Sequence, residues 1–364
     1  MVPRISADGY RFNTVKKHAI IPIFIPHLGC PEKCVFCDQI AITARQGMPG
    51  EDDVRKTIDT YLETLEEVSP KEREIAFYGG SFTGIPSSLQ EKYLGIAKEY
   101  MDRGSVSSIH LSTRPDYIDE DVLSCLKTYG VKTIELGVQS FDDRVLALSK
   151  RGHDSASVYK ALEMIRAWGF DLGIQLMIGL PGDSMESCLF SAKEAAILKP
   201  KVARLYPTVV LENTELYQMY LKGDFVPLDR DEALSRTATM YRVLREAGIL
   251  IMRVGLKSTD IINSRALGEI NRGTYHPAFR QLVESEIARE DIESLIEKIY
   301  EDRTPPCLII ASNPLWVSAA AGHNGINREY FREKYPGMEL NFLSDEKISP
   351  GEFKIYETNG GMHL

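Results

Sequence analysis

Cys30, Cys34 and Cys37 fall within eight residues, in the run Gly-Cys-Pro-Glu-Lys-Cys-Val-Phe-Cys. Thiolates are the usual ligands of iron–sulfur clusters, and a cubane 4Fe–4S cluster ordinarily takes four of them. Three ligands hold three irons and leave the fourth open to a group that is not protein, which makes it a place for chemistry as well as electron storage. Zinc sites generally use paired CxxC units or Cys/His sets of four. His27 stands close enough to complete such a set, but there is no second cysteine pair, and no zinc site is expected. Cys125, Cys188 and Cys307 stand singly in apolar surroundings and read as small buried hydrophobes. With no signal peptide in the opening residues, a reducing setting without disulfides is expected.

The 364 residues carry a formal net charge of −9. That argues against a generally basic nucleic-acid surface, though it leaves room for a local basic channel. No apolar run approaches the roughly 20 residues a membrane helix needs, so a soluble cytoplasmic protein with no membrane partner is expected.

The elements that must position the cysteines come at intervals of about 30 residues, as β-like runs alternating with amphipathic helical stripes. Candidate strands are Ala19–Ile25, Glu74–Tyr78, Ser108–Ser112, Thr133–Val138, Asp171–Ile178 and Val202–Tyr206. Asp154 suits the N-cap of one helix, and Asp183 with Glu186 suits a capping box for the next. Six successive βα units predict parallel strands with helices outside. Every unusual cluster follows a strand: the cysteine loop, Gly79-Gly80, Ser112-Thr113-Arg114-Pro115, Gln139, Gly179-Leu180-Pro181-Gly182, and Tyr206-Pro207-Thr208. Barrel enzymes carry their sites on that rim. The expected fold is therefore α/β, a partial (β/α)6 TIM-type barrel followed by a small C-terminal α+β domain.

The boundaries expected are an N-terminal extension over residues 1–18, the core barrel over 19–255, a helical connector over 256–304, and the small domain over 305–364. The tail reads as strand, helix, Gly322-His323-Asn324-Gly325, helix and two strands. It resembles a KH-like module, whose glycine loop clamps a nucleotide backbone. The alternative is a structural helix–turn–helix, because residues 305–364 hold five Lys or Arg and seven acidic side chains, and neither Lys nor Arg stands between the glycines.

The CxxxCxxC run, with Phe36 before its last cysteine and six βα units around it, resembles the radical S-adenosylmethionine (radical SAM) superfamily over residues 19–255. The resemblance implies a 4Fe–4S cluster on Cys30, Cys34 and Cys37, with S-adenosylmethionine chelated to the open iron. One electron then cleaves the sulfonium C–S bond, giving methionine and a 5′-deoxyadenosyl radical that abstracts hydrogen from substrate. An electron donor such as ferredoxin or flavodoxin is implied. Residue by residue, the resemblance places Phe36 against adenine and Gly79 and Gly80 at the methionine amino group, where glycine permits close backbone approach. It places Gln139 near the ribose and Arg151 on the methionine carboxylate, which a guanidinium fork can grip. Thr113 and Gln175 join the cofactor-binding set, and Gly179 borders adenine unless its segment is a plain strand-to-helix turn. Arg204 and Tyr206, ending the sixth strand, are candidates to face substrate; His276 is a weaker one, with a structural histidine as the alternative.

Within the superfamily, Ser112-Thr113-Arg114-Pro115-Asp116-Tyr117, Glu135-Leu136-Gly137-Val138-Gln139-Ser140, Arg151-Gly152-His153 and Tyr206-Pro207-Thr208 are similar to the radical domain of the Elongator catalytic subunit, which modifies wobble uridine in tRNA. That resemblance makes tRNA a possible partner. No acetyltransferase domain that would handle acetyl-CoA is expected here, so acetyl transfer is not carried over. Two other readings stay open: a small-molecule enzyme resembling coproporphyrinogen dehydrogenase, and a heme or cluster carrier on the same scaffold.

Overall fold

From Arg73 to Pro207 the strands alternate apolar and polar residues, and the two sets come to lie on opposite faces of one sheet. The computed structural model describes residues 18–26, 34–38, 47–256, 268–301 and 307–357. Seven parallel strands, β1 (Ala19–Ile25), β2 (Arg73–Gly79), β3 (Ser108–Thr113), β4 (Val131–Gln139), β5 (Asp171–Ile178), β6 (Val202–Pro207) and β7 (Leu250–Val254), lie side by side in chain order. Parallel neighbours need crossovers. These are α1 (Glu51–Glu63), α2 (Ser87–Asp102), α3 (Glu120–Thr128), the pair α4 (Asp143–Leu148) and α5 (Ser155–Ala167), α6 (Met185–Leu198), and the pair α7 (Glu215–Lys222) and α8 (Arg230–Glu246).

Ile75, Phe77, Ile109, Leu111, Ile134, Leu136, Ile174, Leu176, Ala203 and Leu205 all belong to the main hydrophobic cluster shared with these helices. The alternate positions, Glu74, Tyr78, His110, Ser112, Glu135, Gln175, Arg204 and Tyr206, share the other face. That face is concave. From β2 to β6 is four strand spacings, about 19 Å along a flat sheet, yet the Arg204 guanidinium lies 4.3 Å from the centre of the Tyr78 ring. Only a curled sheet brings them together, and the result is a half-barrel.

The seventh strand is an addition to the six expected. Its burial follows no two-residue alternation, with Leu250 63% exposed at its start, as suits a short edge strand with one neighbour. The cap at Asp154 forms as expected, its carboxylate accepting from the Ser157 N–H at 2.8 Å. The capping box before α6 shifts by one residue, to Ser184 and Ser187. Asp183 accepts instead from the Gly179 N–H at 2.7 Å, tying strand end to helix start.

After the barrel comes α9 (Phe279–Tyr300), a single helix of 22 residues. Its Val283, Ile287, Ile292 and Ile296 join the same cluster as Leu308, Ile310 and Phe331 of the C-terminal part. There β8 (Cys307–Ser312) lies between β9 (Glu339–Ser344), parallel to it, and β10 (Phe353–Glu357), antiparallel. The helices α10 (Val317–Ala321) and α11 (Ile326–Lys334) flank the glycine loop. That loop is fastened to α9: the His323 N–H donates to Ser285 Oγ at 3.2 Å, and Asn327 Nδ2 donates to the Ser285 carbonyl at 2.9 Å. A Cβ on Gly322 would meet the Asn327 nitrogen at 2.6 Å, so this turn takes glycine only. Residues 1–17 and the Arg303–Pro306 boundary lie outside the described residues. Among the described residues no helix is long and apolar enough to cross a membrane.

Candidate active site at the C-terminal rim of the half-barrel

Cys34 and Cys37 form a tight turn, the Cys37 N–H donating to the Cys34 carbonyl at 3.1 Å. Between them Val35 is pinned through its backbone. Its N–H donates to the Ser149 carbonyl at 3.2 Å, and its carbonyl accepts from the Leu216 N–H at 2.7 Å. Its side chain is buried with Val210, Leu216 and Phe225, and Phe36 packs against the same cluster. Cys30 and His27 lie outside the described residues. Among the described residues, no group of three His, Cys, Asp or Glu side chains gathers around a metal position.

The strand ends bring the other expected residues toward this turn unequally. Gly79 ends β2 at φ 110°, a conformation that favours glycine, and the Gly80 N–H bonds the Ile25 carbonyl at 2.8 Å, beside the root of the cysteine loop. Gln139 ends β4 at φ 71°, where the pairing with β5 slips by one residue. Positive φ on a side-chain-bearing residue marks a position held by its surroundings. Arg151 Nη1 donates to Cys34 Sγ at 3.2 Å and Nη2 to the Gly137 carbonyl at 2.6 Å. Thr113 meets Thr83 through their hydroxyls at 2.5 Å. The Gly179 N–H is taken by Asp183, and a Cβ there would strike Leu228 at 2.8 Å. His276 Nδ1 accepts from the Ala278 N–H at 3.0 Å and its ring meets His323 edge-on at 5.4 Å.

Beneath the rim lies a charged network that motif reading missed. Glu135, with 0% of its side chain exposed, receives Arg204 Nε at 3.0 Å and Ser112 Oγ at 3.3 Å, together with Gln175 Nε2. His110 Nε2 approaches Glu135 at 3.3 Å as an ion-pair contact, and its Nδ1 lies 3.8 Å from Glu74. Arg204 also donates to the Tyr206 hydroxyl at 3.3 Å. Burial pushes Glu135 up, but Arg204, His110 and Gln175 outweigh it and hold the carboxyl at about 2. Burial likewise opposes the charged form of His110, but the two glutamates raise it above the ordinary histidine value. A clue was available: parallel strands covered on both faces read as continuous apolar runs, whereas Glu74, His110 and Glu135 interrupt three successive strands on one face.

A second group joins two motifs. Arg114 grips Asp116 through Nε at 2.9 Å and Nη2 at 2.8 Å, and His153 Nδ1 lies 3.8 Å from the same carboxylate. Burial, then Arg151, lower His153 to about 4. A buried imidazole held neutral stabilises the fold fully above its unfolded value near 6.5, and loses that contribution as pH falls through the folded value. Stability is expected to fall by up to about 3 kcal/mol between pH 6.5 and 4 from this group. Thermal unfolding of His153→Gln should show a weaker acid dependence over that window; an unchanged slope would mean the ring is solvated.

The residues fit a cluster with a polar cofactor. Thiol sulfur is the right donor, and the Gln139 Oε1 and Arg151 Nε are buried without a hydrogen-bond partner among the described residues. Native proteins rarely leave such atoms unpaired.

A family model described as "Radical SAM superfamily" matches residues 24–194, and one described as "Radical_SAM C-terminal domain" matches residues 200–289. An uncharacterized protein of Methanocaldococcus jannaschii is 28% identical over 253 residues, covering 65% of this chain and 77% of that protein. A tRNA uridine(34) acetyltransferase of Methanocaldococcus infernus is 27% identical over 259 residues, covering 61% of this chain and 48% of that protein. The chain therefore spans about half the length of that relative. Among solved structures, the archaeal Elp3 of Methanocaldococcus infernus with an N-terminal deletion shares the fold, with a TM-score of 0.56 at 22% identity over 72% of this chain and 65% of that one.

Proposed function

The chain belongs to the radical SAM superfamily and is Elongator-like within it, and on that premise we propose that it is a cytoplasmic enzyme carrying out radical chemistry on RNA, most specifically tRNA. Cys30, Cys34 and Cys37 hold the 4Fe–4S cluster, and Gly79, Gly80, Thr113, Gln139 and Gln175 hold S-adenosylmethionine. Bound together, the two would supply a 5′-deoxyadenosyl radical able to abstract hydrogen from substrate. Phe36 offers adenine a ring, and Glu135, His110 and Arg204 lie buried behind the rim. Arg204, fixed by Glu135 and lying against Tyr78, presents a charge-neutralised donor to the substrate with Tyr206 beside it.

The observation that supports this reading best is the meeting of Cys34, Arg151 and Gly137 near the β4 strand end, with Gly80 bonded to the root of the cysteine loop. The RNA substrate draws on the relative named for tRNA uridine. Anaerobic reconstitution followed by one-electron reduction should yield 5′-deoxyadenosine from S-adenosylmethionine. Binding of total tRNA should weaken with salt. Absent or salt-insensitive tRNA binding, with porphyrinogen bound instead, would transfer the assignment to a coproporphyrinogen dehydrogenase-like enzyme.

A further inference from the structure

We propose that Arg151 sets the reduction potential of the cluster by acting on Cys34, a tuning role distinct from gripping the cofactor carboxylate. The inference rests on the assignment of Cys30, Cys34 and Cys37 as cluster ligands. Arg151 is 7% exposed and, among the described residues, has no carboxylate partner. The other two buried arginines on these strand ends do: Arg114 has Asp116, and Arg204 has Glu135. An uncompensated buried guanidinium is costly. The polar side-chain atom Arg151 does meet is Cys34 Sγ, at 3.2 Å, so the countercharge this site implies is the sulfur and what the sulfur binds.

The contact is rigid from both sides. Nη2 is anchored on the Gly137 carbonyl at 2.6 Å, and the Arg151 N–H on the Leu146 carbonyl at 3.1 Å. Lys150 at φ 52° and Gly152 at φ 75° turn the chain sharply around Arg151. The residue before that turn, Ser149, accepts the Val35 N–H, so the segment that places the arginine also places the cysteine turn. Lys150 itself points elsewhere, paired with Glu215 at 2.6 Å.

Reduction adds one electron to the cluster, taking its core from 2+ to 1+, with no bond made or broken and no proton taken up. A fixed positive charge and an N–H···S hydrogen bond favour the more negative state, and hydrogen bonds to cluster sulfurs are established levers on potential. Arg151 therefore raises the potential, letting a mild donor load the cluster.

The test uses the full chain, reconstituted anaerobically without S-adenosylmethionine and titrated with dithionite while the reduced cluster is followed by electron paramagnetic resonance. Arg151→Gln is expected to keep wild-type iron and sulfide content while reducing at least tenfold less readily, a midpoint about 59 mV more negative for one electron. Arg151→Lys, which keeps the charge, should shift less. Superimposable midpoints in intact clusters would overturn the inference and leave the cluster assignment standing. Loss of iron from both variants would overturn it too, making Arg151 a strut for the loop. A wild-type protein without a cubane signal would remove the assignment itself.

Discussion

Glu135→Ala is expected to destabilise the protein by about 3–5 kcal/mol, because it leaves the buried Arg204 guanidinium without its carboxylate and His110 with Glu74 alone. Arg204 and His110 both lean on this carboxylate, and neither can turn to water without leaving the half-barrel interior. Gly173 on β5 leaves no slack either: a Cβ there would press on Glu135 Cγ at 3.0 Å, so the glutamate is packed as well as paired. A denaturant midpoint measured for Glu135→Ala and for the double variant Glu135→Leu with Arg204→Met separates the causes. The double variant should recover much of the loss, since swapping a buried pair for apolar residues of similar size is often close to neutral. A cost under about 1 kcal/mol for Glu135→Ala would mean that water reaches the network.

The same network gives stability a defined pH shape. His110 is raised in the fold, so its contribution is complete below about 6.5 and is lost as pH rises through the folded value. Glu135, held near 2, keeps its contribution until pH falls from about 4.3 toward 2. His153 acts on the acid side between those limits. An optimum around neutrality, falling away toward both sides, follows from these signs.

What was legible in the sequence was what local periodicity encodes. Six strands show as short β-like runs spaced by helical stripes, and the rim shows because an unusual cluster of residues follows each strand. β7 was not legible, since an edge strand of five residues with mixed burial carries too little alternation to stand out beside a long helix. The charged interior was invisible for a different reason. Glu135 and Arg204 are 69 residues apart, and what joins them is the curl of the sheet, which no window of sequence contains. Taken singly, Glu74, His110 and Glu135 look like solvated strand residues. The role expected for Arg151 met a similar difficulty, since motif order brings it to the rim but cannot say that its Nη1 ends on Cys34.

Cys34→Ala is expected to abolish the cubane absorption and the production of 5′-deoxyadenosine while leaving the fold intact. The reason lies in what holds the loop. Val35 carries the backbone bonds to Ser149 and Leu216 and fills the small cluster with Val210 and Phe225, so the turn is held through its backbone and apolar packing as well as through the Arg151 contact to Cys34. The converse variant, Val35→Asp, keeps all three cysteines but places a charge where an apolar side chain 1% exposed now sits. Iron retention should fall about 10- to 100-fold, the range typical when groups supporting metal ligands are removed. Iron content, the cluster's visible absorption and near-ultraviolet circular dichroism, measured on both variants, give opposite patterns: no cluster on an undisturbed fold for Cys34→Ala, and a loosened loop with residual cluster for Val35→Asp. A cubane signal and cofactor cleavage persisting in Cys34→Ala would mean that Cys34 is not a ligand, and the thiol set would have to be sought elsewhere in the chain.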